Sequence, residues 1–257
     1  MDAPQDLVGR IYLSLRAVGA HEPDGATTTA IAREAGLPRP TVHRLLTSLQ
    51  RVGLVDRVPG TDHWVLGPEL YLLGAAAARR YDVTEVALPV VRRLALATGE
   101  SAFFSARRGQ ETICLIREDG AFPIRSHVLY EGARFPLGVV SAGMVVLAHL
   151  PDREIDEYLE HADLRARFGP QHDIGEIRRH ITATRTHGYA VNPGLVLEGS
   201  WGAAAAVFDR SGIPRWALSL TGVEHRFNAE RLPQLGSLLL REAHALTEDL
   251  ARSEARR

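Results

Sequence analysis

Lysine is absent from this 257-residue chain, so its 30 permanently basic side chains are all arginine. An exclusion this uniform reads as compositional bias, not as mechanism. Cysteine occurs once, at Cys114, which excludes an internal disulfide and any multi-cysteine metal site. No signal-like stretch and no apolar run of membrane-spanning length occurs, so a soluble cytoplasmic protein with no membrane partner is expected. The formal net charge of −1 favours no class of partner. Catalytic spacing is missing as well: the eleven histidines are scattered, and there is no HExxH, CxxC, GxSxG or GxxxxGK[ST] pattern. The expectation is a protein that is not an enzyme, with no catalytic residues, no metal and no cofactor.

What is present is concentrated between Thr27 and Gly67. Thr29 is placed to cap a helix over Ala30–Ala35, Gly36 supplies a left-handed end, and Pro38 forbids continuation. A second helix starts near Pro40, where a missing N–H costs no intrahelical bond. Its apolar residues Val42, Leu45, Leu46, Leu49 and Val52 recur at helical spacing and face a core. Gly53 ends it. Leu54–Val58 and His63–Leu66 then read as two strands around the turn Pro59–Asp62, a β-hairpin wing with Trp64 and Leu66 packed beneath. Asp6–Val18 completes a three-helix unit, with Leu7, Val8, Ile11, Tyr12, Leu15 and Val18 on its inner face. This is the layout of a winged helix-turn-helix.

The apolar stripe of the second helix leaves Arg39, Thr41, His43, Arg44, Thr47 and Arg51 outside. Arg44 is the candidate for reading a base edge, since arginine contacts guanine bidentately. Arg57 and His63 flank the wing tip, within reach of a phosphate; for His63 plain solvent exposure fits equally. Between Arg33 and Arg57 five arginines are opposed only by Glu34 and Asp56, which favours phosphate contact over a merely solvated surface. One such helix covers only a few base pairs, so a homodimer or homotetramer on a double-stranded DNA operator is expected.

Pro68–Arg80, rich in alanine and leucine, reads as a linker helix and a plausible interface. The division drawn is residues 1–80 as a DNA-binding domain with its linker and 81–257 as a second domain. There, Val83–Thr98, Val139–Leu150, Asp152–His161, Ile174–His187 and Asn228–Arg252 read as helices. Ser101–Ala106, Glu111–Arg117, Phe122–Tyr130, Tyr189–Val191, Ala203–Phe208 and Arg215–Thr221 read as strands, and Glu131–Leu137 as a loop. Helices mixed with antiparallel hairpins make the class α+β. Cys114 lies inside the apolar run Ile113–Ile116 and reads as a buried structural residue.

Five landmarks in order, GLPRPTVHRLL with the wing ending VLG, FPLGVVSAGMVVLA, RTHGYAVN, AAAAVFDRSG and ALSLTG, make the chain similar over nearly its whole length to the IclR-type bacterial transcriptional regulators. The resemblance implies a GAF-like second domain with an antiparallel sheet that binds a small effector and takes part in oligomerisation. By alignment of the landmarks, the family's pocket positions fall on Ser141, Ala142, Asn192, Gly202, Ser219 and Thr221. Departures occur at Gly138 and Met144, where the family commonly has histidine and lysine, at Asn192–Gly194 in place of an acidic run, and at Pro40. A helix N-terminus with nearby hydroxyls suits an anion, so the implied effector is a small organic acid. The competing reading is a small-molecule sensor or enzyme of the same fold whose N-terminal domain is only an interaction module.

Overall fold

A computed structural model describes residues 6–78, 83–124 and 127–255. The chain divides into two compact units, Met1–Tyr81 and Asp82–Arg257.

The first unit contains α1 (Leu7–Gly19), β1 (Ala26–Thr27), α2 (Thr28–Ala35), α3 (Arg39–Arg51), β2 (Val55–Arg57), β3 (His63–Leu66) and α4 (Pro68–Ala78). The three strands form an antiparallel sheet in the order β1-β3-β2. Val18, Ile31, Val42, Leu46, Val55 and Trp64 form its core. Gly36 ends α2 in the left-handed region, at φ 65°.

Several local expectations are corrected here. The cap of α2 is Thr27, not Thr29: Thr27 closes β1 in an extended conformation, so its hydroxyl can accept from the Ala30 N–H at 3.3 Å. Thr28 is buried and accepts from the Trp64 indole N–H at 2.9 Å. The buried face of α1 is Ser14, Ala17 and Val18, whereas Leu7, Val8 and Tyr12 are exposed. Small residues permit close approach to the neighbouring helix, and Ser14 is accommodated by donating to its own helix at Arg10 O. Val52 follows the last turn of α3 and is 60 % exposed, and Leu66, at the far end of β3, is 37 % exposed. Trp64 and Val55 are the fully buried side chains of the wing strands. The linker helix is described to Ala78; residues 79 and 80 of the expected span lie outside the described residues.

The second unit runs α5 (Val83–Thr98), β4 (Ser101–Arg108), β5 (Glu111–Glu118), β6 (Arg134–Pro136), α6 (Ser141–Ala148), α7 (Asp152–His161), α8 (Leu164–Phe168), a 3-10 turn at Pro170–His172, and α9 (Ile174–His187). It continues with β7 (Ala190–Pro193), β8 (Ser200–Phe208), β9 (Pro214–Val223), a 3-10 turn at Glu224–Phe227, and α10 (Leu232–Ala255). Six strands form one antiparallel sheet in the order β6-β5-β4-β9-β8-β7. Helices α5 and α10 cover one face, and α6, backed by α7 and α9, covers the other.

The alanine run of β8 explains how both faces close. Ala203 and Ala205 belong to the core under α5 and α10, and Ala204 and Ala206 to the core under α6. Strand alternation sends successive side chains to opposite faces, and small side chains let helices approach from both sides. Every residue of α6 is buried. At one end of the sheet Glu100, 1 % exposed, accepts from Arg226 Nε at 2.5 Å and Arg231 Nη1 at 2.6 Å, tying α10 to the start of β4.

Two elements differ from the sequence reading. Phe122–Tyr130 is not a strand among the described residues; Gly120 lies so close to the Gly99 backbone that a Cβ there would sit 2.1 Å from Gly99 O. The sheet instead takes its edge strand β6 from the expected loop, pairing Thr112 with Phe135 and Glu111 with Pro136. A proline is tolerated there because an edge strand leaves one row of N–H positions unpaired. The short helix α8 has no counterpart in the sequence reading.

Candidate functional site

The outer face of α3 presents Arg39, His43, Arg44 and Arg51 exposed, with Thr41 and Thr47 partly so. Ser48, one turn beyond Arg44, shares that exposed face and was not singled out from the sequence. Arg39 Nε donates to Thr29 Oγ1 at 3.2 Å, and Thr47 Oγ1 donates back to His43 O at 2.8 Å. Arg44 and Arg51 have no ion-pair partner among the described residues.

The acidic neighbours are engaged elsewhere. Glu34 lies 2.8 Å from His21 Nε2, and Asp56 accepts from the Arg57 backbone N–H. On the wing the Arg57 guanidinium lies 4.0 Å from the centre of the Trp64 ring, and His63 Nδ1 donates to Asp24 O at 3.1 Å. These contacts order both wing residues and leave the α3 arginines as the unpaired positive surface.

In the second unit a small cavity opens at the start of α6. Ser141, Asn192, Gly202 and Thr221 line it, together with Val128, Leu129, Val140, Val196, Ser200 and Trp201. The volume open to the centre of a water molecule is only about 20 Å³, enough for one or two waters. Ala142 and Ser219, both expected at the site, are fully buried behind this lining. The apolar walls were not found from sequence: they come from four separate stretches, and only Trp201, next to Gly202 on β8, carried a usable signal.

Polar satisfaction separates the expected residues. Thr221 Oγ1 and Ser219 Oγ are buried without a hydrogen-bond partner among the described residues. They occupy i and i+2 on β9 and so share a face. No side chain caps the N-terminus of α6. Asn192, by contrast, is fully engaged: its Nδ2 donates to Val139 O at 2.8 Å and its Oδ1 accepts from the Leu195 N–H at 2.9 Å. A Cβ at Gly202 would meet Ser141 Oγ at 3.1 Å and Leu220 O at 3.3 Å, so glycine keeps Ser141 open to the cavity. Among the described residues, no arginine or carboxylate lines the cavity.

The remaining candidate chemistry is negative. Cys114 is buried, and its thiol is pushed up to about 12 by that burial, reinforced by Glu131. A thiol held neutral at physiological pH is a poor nucleophile.

Comparisons with known proteins agree with both halves. The IclR helix-turn-helix domain model matches residues 15–59, and the bacterial transcriptional regulator IclR C-terminal model matches residues 75–248. The transcriptional repressor IclR of Escherichia coli (strain K12) is 26 % identical over 226 residues, covering 85 % of this chain and 81 % of its own. The regulator BhcR of Paracoccus denitrificans (strain Pd 1222) is 28 % identical over 229 residues, covering 88 % and 81 %. A solved IclR homologue from Microbacterium hydrocarbonoxydans, in complex with 4-hydroxybenzoate, superposes with a TM-score of 0.74 at 25 % identity, covering 95 % of this chain and 99 % of that one.

Proposed function

The chain belongs to the IclR family of bacterial transcriptional regulators, and from that premise we propose that α3 reads an operator while the α6 cavity receives a small organic acid that alters DNA binding. Residues 1–80 act as the DNA-binding domain with its linker, and 81–257 as the effector and oligomerisation domain. The working unit is a homodimer or a pair of dimers on roughly palindromic DNA, in the cytoplasm. The curated relatives are regulators, and the proposed role requires no catalysis.

The observation that carries the effector reading is the buried, unpartnered hydroxyl of Thr221, which lines the cavity near the uncapped N-terminus of α6. A buried hydroxyl left without a partner costs about 1–3 kcal/mol, so a site that keeps one gains when a ligand supplies an acceptor. The N–H groups of the first turn of α6 and its dipole favour negative charge. Val128, Leu129, Val140, Val196 and Trp201 surround the remaining space and suit an apolar or aromatic body. 4-Hydroxybenzoate, the ligand of the Microbacterium homologue, has this chemistry.

Calorimetric titration with a panel of aromatic and aliphatic acids tests the reading. Thr221→Val and Ser141→Ala are each expected to weaken the best ligand by about 1.5–3 kcal/mol, the range for hydrogen bonds to charged groups. Equal affinity in wild type and both variants would place the effector elsewhere.

A further inference from the structure

We infer that residues 194–199 form a strap that must lift before a ligand can enter the α6 cavity, and that Gln171 and Asn192 are positioning residues that hold it down; the inference rests on the effector reading above. As it stands, the cavity leaves a water-sized centre only about 20 Å³. An aromatic acid needs several times that space, so some part of the lining must move. Most of the lining cannot move cheaply, because Ser141 and Val140 are buried at the head of α6 and Gly202 and Thr221 lie in the interior strands β8 and β9.

The strap is built differently. It connects edge strand β7 to β8, contributes Val196 to the cavity wall, and exposes Leu197 on its outer side. Its ends are Gly194 at φ 76° and Gly199 at φ 77°, conformations that only glycine adopts without strain. Gly199 O accepts from the Glu224 N–H at 2.9 Å, which anchors one end to the turn after β9.

Between those ends, Leu195 is held by both of its backbone groups. Its N–H donates to Asn192 Oδ1 at 2.9 Å, and its C=O accepts from Gln171 Nε2 at 2.9 Å. Gln171 lies in the 3-10 turn before α9, on the far side of the cavity mouth in sequence, and no expectation from the sequence included it. The other end of the Asn192 amide donates to Val139 O, two residues before α6. His172, the neighbour of Gln171, also brings Nε2 to within 3.4 Å of Val139 O. One carbonyl at the entrance of α6 thus accepts from Asn192 and lies beside the residue next to Gln171, so lifting the strap is coupled to the position of the helix that would meet the ligand. Asn192 acts through this linkage.

Hydrogen exchange followed by mass spectrometry on the ligand-free, full-length protein reads the latch directly. Gln171→Ala removes the bond to Leu195 O, and Asn192→Asp keeps the acceptor for Leu195 but loses the donor to Val139. Exchange of the 195–199 amides is expected to rise about two- to tenfold in Gln171→Ala, the population change from losing one neutral hydrogen bond. Helices α6 and α9 should keep wild-type protection in that variant, whereas Asn192→Asp should loosen the first turn of α6 as well. Stopped-flow mixing with 4-hydroxybenzoate should then show faster association and faster dissociation for Gln171→Ala. Unchanged strap exchange in both variants, or a rise spread equally over α6 and α9, overturns the latch. A rise in strap exchange with unaltered ligand rates overturns its role as the gate. Should no acid bind the wild type, the effector reading fails while the exchange comparison still decides the latch.

Discussion

At the scale of single residues, exposure and partnership separate side chains that read alike in the sequence. Arg44 and Arg57 both stand in the basic stretch, yet Arg44 is unpaired on the open face of α3 while Arg57 stacks on Trp64. Arg44→Ala is expected to cost about 1–3 kcal/mol of specific operator binding and to relax base preference, as loss of a bidentate base contact does. Arg57→Ala should weaken all sequences alike, with a loss of fold stability of about 0.5–1 kcal/mol from the ring contact. Gel-shift titrations on the operator and scrambled DNA, beside thermal melts, check both; an Arg44→Ala protein with wild-type preference would remove it from the reading surface.

Cys114 supplies a pH signature at the same scale. The unfolded thiol ionises near its ordinary value of 9.0, whereas burial holds the folded one protonated to about 12. Between those values the unfolded state binds fewer protons, so stability present at neutral pH falls as pH rises from about 9 towards 12. Tyr158 is raised by burial in the same direction, so the Cys114 contribution is the difference between wild type and Cys114→Ala. Urea unfolding at pH 8 and pH 10 should show a steeper loss in wild type than in Cys114→Ala; parallel losses would assign the slope to other groups.

At the scale of elements, α6 is the piece on which the second unit depends, and its two ends are treated differently. The C-terminal carbonyls are met from α9: Arg185 Nε donates to Ala148 O at 2.7 Å, and its Nη2 donates to Leu150 O at 3.3 Å and to Asp152 Oδ1 at 2.8 Å. The N-terminal end has no such cap. Helix C-termini attract cations, so Arg185 complements the C-terminal end of α6. Arg185→Ala is expected to destabilise the protein by about 1–2 kcal/mol, with faster exchange at 145–150 and little change at the cavity. Arg185→Lys should recover only part, because an ammonium cannot fork to several carbonyls at once. Denaturant titration with exchange on the same samples separates these outcomes.

At the scale of the whole molecule, α4 is the unexplained surface of the first unit. Every residue from Tyr71 to Ala77 is exposed, and Tyr71, Leu72 and Leu73 are all large and apolar. Leu7, Val8 and Tyr12 on α1 are exposed too. Apolar patches of this kind mark association sites on soluble proteins, and two half-sites need two recognition helices. The wild type is therefore expected to be at least dimeric by light scattering at micromolar concentration. Leu72→Glu should yield smaller species and weaker operator binding, with the fold retained because the position is exposed. A monomeric wild type that still binds one operator tightly would contradict this arrangement.

Punctuation and periodicity were legible in the sequence. Val83–Thr98, Asp152–His161 and Ile174–His187 have their expected bounds, because each is an amphipathic run ended by a local signal, with Gly99 and Gly188 closing two of them. The outward arginines of α3 follow in the same way, since a helix turns by a constant angle and the apolar stripe leaves only one face outside. The α+β class and the Cys114 environment needed no more than that.

Tertiary structure decided what depends on distant neighbours. Which threonine caps α2 depended on a two-residue strand that forms only by pairing with β3. The edge strand β6 replaced the apolar run 122–130 because register against β5 is a long-range choice that local propensity does not encode. The cavity combines residues from 128 to 221, and Asn192, one of its lining residues, also braces the wall through bonds to Val139 and Leu195. Local order follows from torsional preference within a few residues; a site is defined by which polar atoms remain unpaired, and pairing is settled only after the whole chain has packed.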